Sequence, residues 1–135
     1  MIVGIGIDSV DIQRFAHWHI YNPQILRRIF SDQEIDYCLQ NNTKSAERFA
    51  VRFAAREALF KALTMHAPGH NIPFLTLCRA VSIQKHMNVP SLHINWPTIQ
   101  RWYPYEPVTP LLSLTHTQHI ATAWIVLQKH DNYQP

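Results

Sequence analysis

Two charged side chains lie within or beside the apolar stripe of one helical segment, where they could have a chemical role. Glu57 follows Phe53 by four residues and precedes Phe60 by three, so it falls within the apolar stripe of a helical segment. Burying a carboxylate is costly unless a cation or a metal ion compensates it. Lys61 lies four residues further on, so Glu57 is either half of an ordinary i,i+4 ion pair or a functional carboxylate facing a cleft.

A second polar group lies in the segment Leu112-Ser113-Leu114-Thr115-His116. In a strand, the two leucines face one side while Ser113 and Thr115 point together to the other. Two hydroxyls and an imidazole at a strand end suit contact with a phosphate. The alternative is an ordinary edge strand with polar residues on its outer face.

The first strand would place a further carboxylate. Residues 2 to 8 alternate, with β-branched residues on one face and Gly4, Gly6 and Asp8 on the other. Glycine weakens a strand, so two of the chain's three glycines on this face indicate a close approach to the backbone. A ligand beside Asp8, a bulge or tight helix packing would each explain it.

The remaining patterns place helices early and strands late, which predicts an α+β fold. The helical signals are a turn or two at 11–20, a start at Asn22-Pro23, a capping box opening a helix at 31–39, a long helix at 46–63 and a short helix from Pro97 to Tyr103. Residues 64–73 read as a loop. The strand signals cover 77–84, 92–96, 111–115 and 120–128, the last apolar on both faces as a central strand would be.

Bulk properties set limits on the class of protein. The 135 residues, 47% of them hydrophobic, predict one domain over 1–135, with 130–135 as a loose tail. A net charge of +3 suits an acidic protein or a phosphorylated substrate better than nucleic acid. Cys38 and Cys78 have no metal spacing and predict free thiols in a cytoplasmic protein. No segment has the roughly 20 apolar residues of a membrane span.

Three segments taken together resemble one known family. They are GIGIDSVDIQRF at 4–15, RFAVRFAAREALFKAL at 48–63 and LSLTHT at 112–117. In this order they are similar to the signatures of the holo-acyl-carrier-protein synthase group of phosphopantetheinyl transferases. The resemblance implies a 4'-phosphopantetheinyl transferase fold, with a small, mostly antiparallel sheet packed against a long helix. It also implies transfer of 4'-phosphopantetheine from coenzyme A to a serine of apo acyl carrier protein, with release of adenosine 3',5'-bisphosphate.

The same resemblance assigns roles to individual residues. Asp8 and Glu57 match the acidic ligands of a divalent metal, Mg²⁺ or Mn²⁺, and oxygen ligands suit Mg²⁺. Lys61 matches a lysine beside the pyrophosphate, which completes the implied catalytic set. Arg14 and Arg28 match basic positions that dock the carrier protein. The implied coenzyme A contacts are Arg52, Lys61, Asn88, Pro90, Ser113, Thr115 and His116. The family's homotrimers, with active sites between subunits, imply the same assembly here.

Several segments depart from the family pattern. The usual lysine before the acidic ligand is Arg56, a Gly-Thr-Gly segment is replaced by Thr64-Met65-His66, and an Asn-Gly-Lys-Pro turn by Asn88-Val89-Pro90. The resemblance places these changes, including the loops at 64–70 and 88–90, around the coenzyme A site, where they bear on donor affinity and preference.

Two alternative interpretations stay open at this point. One is a non-catalytic module of the same fold that binds a carrier protein or a nucleotide. The other is a transition-metal site at His17 with His19, or at His116 with His119, although neither pair has a second paired set. The basic residues are not clustered with stacking aromatics, so nothing indicates nucleic-acid binding.

Overall fold

The computed structural model describes residues 1–131, so most of the predicted tail, residues 132–135, lies outside the described residues. Five strands, five α-helices and two short 3-10 helices form the described fold. The strands are β1 (Ile2–Asp11), β2 (Val81–His86), β3 (Val89–Ile94), β4 (Thr109–His116) and β5 (Ile120–Gln128). The α-helices are α1 (Pro23–Leu26), α2 (Asp32–Leu39), α3 (Ser45–His66), α4 (Phe74–Ala80) and α5 (Trp96–Ile99). The 3-10 helices are Ile12–Phe15 and Trp18–Ile20.

The strands form two antiparallel sheets. The larger has the order β1-β5-β4, which confirms β5 as its central strand, and the smaller is the β2-β3 hairpin. One face of the larger sheet packs on α3, where β5 buries alternate residues such as Ala123 and Ile125. This arrangement confirms the predicted α+β fold with its long helix. Within residues 1–131, no helix has the length and apolar character needed to cross a membrane.

The two glycines of β1 make room for α3. A Cβ atom on Gly6 would lie 1.8 Å from the carbonyl oxygen of Ala58, and one on Gly4 would lie 2.3 Å from that of Ala62. Real Cβ atoms do not approach so closely, so helix and strand touch through their backbones. Tight helix packing is therefore the reason for these glycines. Of the three explanations that the sequence left open, a ligand beside Asp8, a bulge and tight helix packing, the structure supports the packing.

We expect Gly6→Ala to destabilise the fold by about 3 kcal/mol, because α3 must move away from β1 to admit the methyl group. Gly69→Ala is the control. A Cβ on Gly69 meets no atom within 4 Å, and only the backbone φ of 81° resists it, at a cost of about 1 kcal/mol. Urea unfolding measures both variants. Equal destabilisation by the two substitutions would contradict the close packing of β1 on α3.

A buried ion pair ties α3 to its neighbours. The guanidinium of Arg56 is fully buried and contacts both carboxylate oxygens of Glu34, at 2.8 and 2.7 Å. It also donates to the carbonyl oxygens of Val81, at 2.8 Å, and Cys78, at 3.4 Å. Glu34 in turn completes the capping box with Ser31, as the sequence predicted. Arg56 therefore joins α3 to α2, α4 and β2.

The two cysteines lie in this same buried region. Cys38 and Cys78 are both free and fully buried, so the predicted free thiols are confirmed. Burial raises the pKa of Cys38 to about 12 and that of Cys78 to about 11, which keeps both thiols protonated.

Several sequence-based element bounds need correction. Residues 77–80 belong to α4 rather than to a strand, because Phe74, Leu77 and Cys78 at helical spacing pack one face inward. The long helix continues to His66 instead of ending at 63. The strand predicted at 92–96 begins earlier, at Val89, and Trp96 already belongs to α5. That helix ends at Ile99, short of the predicted Tyr103.

The outer face of the larger sheet is exposed and apolar. Its residues include Ile5 and Ile7 of β1, Leu111 of β4 and Trp124 of β5, each about half exposed. Ile7 lies opposite Trp124 in the strand register, so these side chains form one surface across three strands. We call this surface the open sheet face. A contiguous apolar face on a folded chain is typical of an interaction surface.

Candidate active site

The three implied catalytic residues meet at one edge of the contact between β1 and α3. Lys61 donates a hydrogen bond from Nζ to Asp8 Oδ1, at 3.1 Å, and another to the carbonyl oxygen of Ile7, at 2.9 Å. The Asp8 side chain is only 10% exposed, whereas that of Lys61 is 56% exposed. Strand β1 therefore supplies one carboxylate from its helix-facing side, and one turn of α3 supplies Glu57 and Lys61.

The two carboxylates of this site influence each other. Partial burial and the neighbouring Asp8 carboxyl raise the pKa of Glu57 to about 7, against the opposing charges of Arg14 and Lys61. A carboxyl with its pKa this high marks a place where negative charge is crowded. A divalent cation placed between the two groups would relieve that crowding.

Asp8 gives a second reason to expect a cation at this site. Its Oδ2 atom is buried and receives no hydrogen bond from any described donor, although a buried carboxylate oxygen normally has one. The part of the chain described here contains no group of three or more His, Cys, Asp or Glu that could hold a metal. Two carboxylates are nevertheless enough for Mg²⁺, which keeps several waters and takes its other ligands from substrate phosphates. The donor set therefore fits Mg²⁺.

Four of the implied coenzyme A contacts lie together in a different place. Arg52, Asn88, Pro90 and His116 line one cleft of about 330 Å³ between the start of α3, the β2-β3 turn and the end of β4. His116 Nε2 lies 3.0 Å from Glu47 Oε1, which ties β4 to α3 at the edge of this cleft. We call it the basic cleft, because four cationic side chains also line it, namely Lys44, Arg48, Arg52 and Lys85.

The basic residues of this cleft had a signal in the sequence that motif matching did not use. Lys44, Arg48 and Arg52 are spaced four residues apart, so they lie along one side of α3 and its N-terminal end. The cleft is completed by Tyr37 of α2 and Lys85 of β2. No sequence pattern at either position predicts that it lines this cleft.

The structure does not bring every implied contact into the basic cleft. Ser113 and Thr115 point outward onto the open sheet face, opposite Trp124 and Thr122 of β5, while Leu112 and Leu114 pack inward. Lys61 lies with Asp8 on another side of α3 from Arg52. Glu57 follows Arg52 by five positions, about 140° around the helix, and Lys61 follows it by nine, about 180°. We call Asp8 and Glu57 the metal pair, after the role that the resemblance implies for them. The metal pair therefore lies on a different side of α3 from the basic cleft.

The departures from the family pattern fall in three different places. Arg56 lies in the core with Glu34 and touches neither cleft nor metal pair, so the expectation that it borders the coenzyme A site is wrong. His66 is on the last turn of α3, where its Nδ1 lies 2.7 Å from the hydroxyl of Tyr103. Asn88 is in the hairpin turn of the basic cleft, where Met87 and Asn88 both have positive φ, of 50° and 63°.

The two arginines that the resemblance assigns to docking have distinct surroundings. The guanidinium of Arg14 lies over the ring of Phe53, 4.8 Å from its centroid, and its charge opposes the raised pKa of Glu57. Arg14 is thus a neighbour of the metal pair. Arg28 is exposed just after α1, in a segment that also exposes Ile20 and Ile25. Apolar and basic side chains together make this segment suitable for docking an acidic protein.

Comparison with known proteins gives a consistent result. Residues 4–128 match the family model described as the 4'-phosphopantetheinyl transferase superfamily. The chain is 32% identical to holo-[acyl-carrier-protein] synthase of Geotalea daltonii, over 96% of this chain and all of the relative. Among solved structures, a holo-(acyl-carrier-protein) synthase of Bacillus anthracis in complex with CoA (3',5'-ADP) is 25% identical, with a TM-score of 0.72, 96% of this chain covered and 99% of that chain.

A further solved structure supports the fold alone. The ACPS-CoA complex of Chronobacterium ammoniagenes has a TM-score of 0.77 and is 22% identical, with 95% of this chain and 98% of that chain covered.

Proposed function

Because the chain belongs to the 4'-phosphopantetheinyl transferase superfamily, and within it to the holo-[acyl-carrier-protein] synthases, we propose that it transfers 4'-phosphopantetheine from coenzyme A to a serine of an apo acyl carrier protein. The observation that carries this proposal is the cluster of Asp8, Glu57 and Lys61 at the contact of β1 with α3. A chain that had kept only the fold would have no chemical need for all three.

The reaction is a displacement at phosphorus. The serine Oγ of the carrier protein forms a bond to the phosphorus that bears pantetheine, and the bond from that phosphorus to the 5'-phosphate oxygen of the nucleotide breaks. The serine proton leaves, and the released 5'-phosphate of adenosine 3',5'-bisphosphate can take up a proton, so charge balances. This chain needs no nucleophile of its own, since the attacking group belongs to the carrier protein.

Asp8 and Glu57 would hold Mg²⁺, which when bound neutralises the pyrophosphate and the charge that develops during transfer. Lys61 would place its ammonium against the pyrophosphate, as a fixed charge or as a proton donor to the leaving oxygen. Its Nζ is already oriented by Asp8 and by the carbonyl of Ile7. Product analysis tests this step: coenzyme A should be converted to adenosine 3',5'-bisphosphate in equal amounts with modified carrier, and hydrolysis without modified carrier would contradict it.

We infer that carrier protein docks beside the metal pair through Arg14 and Arg28. Arg14→Glu is expected to raise the KM for carrier protein about tenfold, because it turns an attraction for an acidic surface into a repulsion, and to change kcat less. Arg101→Glu, which makes the same charge change at an exposed position after α5, is the control. Steady-state kinetics with varied carrier measures both. Unchanged carrier binding by the Arg14 variant would refute its docking role.

We further propose that the chain works as a homotrimer with active sites between subunits. Two features support this assembly: the exposed apolar open sheet face, and the separation of the metal pair from the basic cleft around α3. One donor molecule would reach both places if the cleft of one subunit lies next to the metal pair of another. Ser113 and Thr115, which lie on the open sheet face, would then also lie near this boundary.

Trp124→Glu is expected to convert the trimer to a monomer and to abolish transfer, since it puts a charge in the centre of the open sheet face. Light scattering after size exclusion measures the change, with Leu75→Glu as a control at an exposed apolar residue of α4. If the Trp124→Glu variant is still a trimer, the open sheet face is not the interface between subunits.

A further inference from the structure

Three cationic side chains surround the ring of Tyr37 at the wall of the basic cleft. The guanidinium carbons of Arg48 and Arg52 lie 3.9 and 4.6 Å from the ring centroid, and Lys85 Nζ lies 5.2 Å from it. Lys85 Nζ also donates a hydrogen bond to the Tyr37 hydroxyl, at 3.1 Å. Arg48 Nη1 donates to the Tyr37 carbonyl oxygen, at 2.7 Å. One residue of α2 thus orients cations from α3 and from β2.

These cations lack a matching anion within the described residues. Glu47, the carboxylate lining the cleft, is turned toward His116. Arg52 is only 4% exposed, and its Nε–H is buried without an acceptor, while its Nη1 reaches only the carbonyl of Arg48. A buried guanidinium with a donor left over is costly, and the negative face of an aromatic ring offsets only part of that cost. The arrangement fits a cleft made to receive an anion.

The charge of the cleft indicates which anion. Several cations converging on one small volume suit a compact group with two negative charges, and a phosphate monoester has this character. Coenzyme A carries one such group, the 3'-phosphate of its nucleotide end, in addition to the pyrophosphate that Lys61 and the metal pair would bind. The ring of Tyr37 would contact the cations and not the anion itself, because its face is turned toward the cations.

We propose that Tyr37 is a positioning residue that holds Arg48, Arg52 and Lys85 in place for the 3'-phosphomonoester of the donor, and so determines selectivity for phosphorylated over dephosphorylated coenzyme A. This inference rests on the proposed function for the identity of the donor. The hydrogen bond from Lys85, with the charges of Arg48 and Arg52, lowers the pKa of Tyr37, which agrees with a phenol surrounded by cations.

The test compares two donors, coenzyme A and 3'-dephospho-coenzyme A, with the wild-type chain, Tyr37→Leu and Tyr37→Phe. Leucine removes both the aromatic ring that the cations contact and the hydroxyl, whereas phenylalanine keeps the ring and removes only the hydroxyl. Tyr37→Leu should raise the KM for coenzyme A about tenfold, the size expected from the loss of the cation–π contacts with Arg48 and Arg52, with kcat nearly unchanged. It should leave the KM for dephospho-coenzyme A nearly unchanged. Tyr37→Phe should recover most of the loss, because the face contributes more than the hydroxyl.

The two donors separate positioning from general damage, in the manner of a double-mutant cycle. An equal rise of KM for both donors in Tyr37→Leu would overturn the proposal, since a merely structural role does not recognise the 3'-phosphate. An unchanged KM for coenzyme A would overturn it as well. Tyr37 is only half-buried, so its truncation leaves the core of α2 and α3 in place.

Failure of the proposed function would look different from failure of this inference. If the wild-type chain transfers nothing from either donor, the role of Tyr37 can still be tested by binding. Calorimetry then measures the affinities for adenosine 3',5'-bisphosphate and for adenosine 5'-monophosphate. If Tyr37→Leu weakens the binding of the bisphosphate alone, the role of Tyr37 is supported even without catalysis. Equal weakening of both nucleotides, or of neither, contradicts it.

Discussion

Replacing Asp8 or Glu57 by alanine is expected to lower kcat for phosphopantetheinyl transfer by about 10³-fold or more while leaving the fold intact. A metal ion contributes several kcal/mol to the stabilisation of charge at a transferring phosphoryl group, and each 1.36 kcal/mol is about a factor of ten in rate. Asp8 contributes a buried oxygen without a donor, and Glu57 a carboxyl whose pKa is raised to about 7. The protein satisfies these groups only in part, since Asp8 Oδ2 has no donor and Glu57 lies beside a second carboxyl, so removing either should cost little stability.

The matched control for these variants is Asp36→Asn, which removes an exposed carboxylate of α2 away from the site. Single-turnover transfer kinetics and thermal unfolding should be measured on the same samples. We expect the control to transfer at the wild-type rate and all variants to unfold near the wild-type temperature. Near-normal turnover by either alanine variant would contradict the assignment of the metal ligands.

The second large effect concerns stability. Removing one partner of the Glu34–Arg56 pair, by Glu34→Gln or Arg56→Met, is expected to lower the free energy of unfolding by about 3–5 kcal/mol, because an uncompensated charge or unmatched polar groups stay buried. Arg56→Met also deprives the Val81 and Cys78 carbonyls of a donor. The double variant Glu34→Gln/Arg56→Met should lose less than the sum of the single variants. Urea unfolding measures all three, and additive losses would contradict the direct coupling.

The same pair predicts part of the acid sensitivity. Burial alone would raise the pKa of Glu34. The hydrogen bonds and charge of Arg56, together with the hydrogen bonds of Ser31, lower that pKa overall below the ordinary value of 4.5. The unfolded state therefore binds the proton more readily than the folded state. The stabilisation from Glu34 is fully present above about pH 4.5 and is lost as the pH falls through the lower folded-state pKa. Glu34→Gln should flatten this part of the pH profile of the unfolding free energy.

Much of the fold follows from local patterns that the sequence displays. The capping box from Ser31 to Glu34 and both bounds of β5 are confirmed, because capping and two-residue alternation are local signals. The strand predicted at 77–84 is wrong over 77–80, since the inward-facing Phe74, Leu77 and Cys78 have helical spacing that starts before the predicted segment. The family suggested by the three motifs is confirmed by the comparisons.

Other features depend on contacts between distant segments and could not be predicted. Nothing near Arg56 in the sequence indicates that its charge meets Glu34, 22 residues away, in the core. The close approach of Ala58 to Gly6 is a property of two elements packed together. The cations around Tyr37 likewise come from α3 and β2, so the basic cleft is recognisable only once these elements are in place.

The central claim is best tested by the intact mass of an apo acyl carrier protein incubated with this chain, coenzyme A and Mg²⁺, with EDTA in a parallel sample. We predict a gain of one phosphopantetheine group on the carrier serine, abolished by EDTA and restored by excess Mg²⁺. An unmodified mass for several apo carrier proteins, with a folded sample of this chain, would contradict the claim that it is a phosphopantetheinyl transferase.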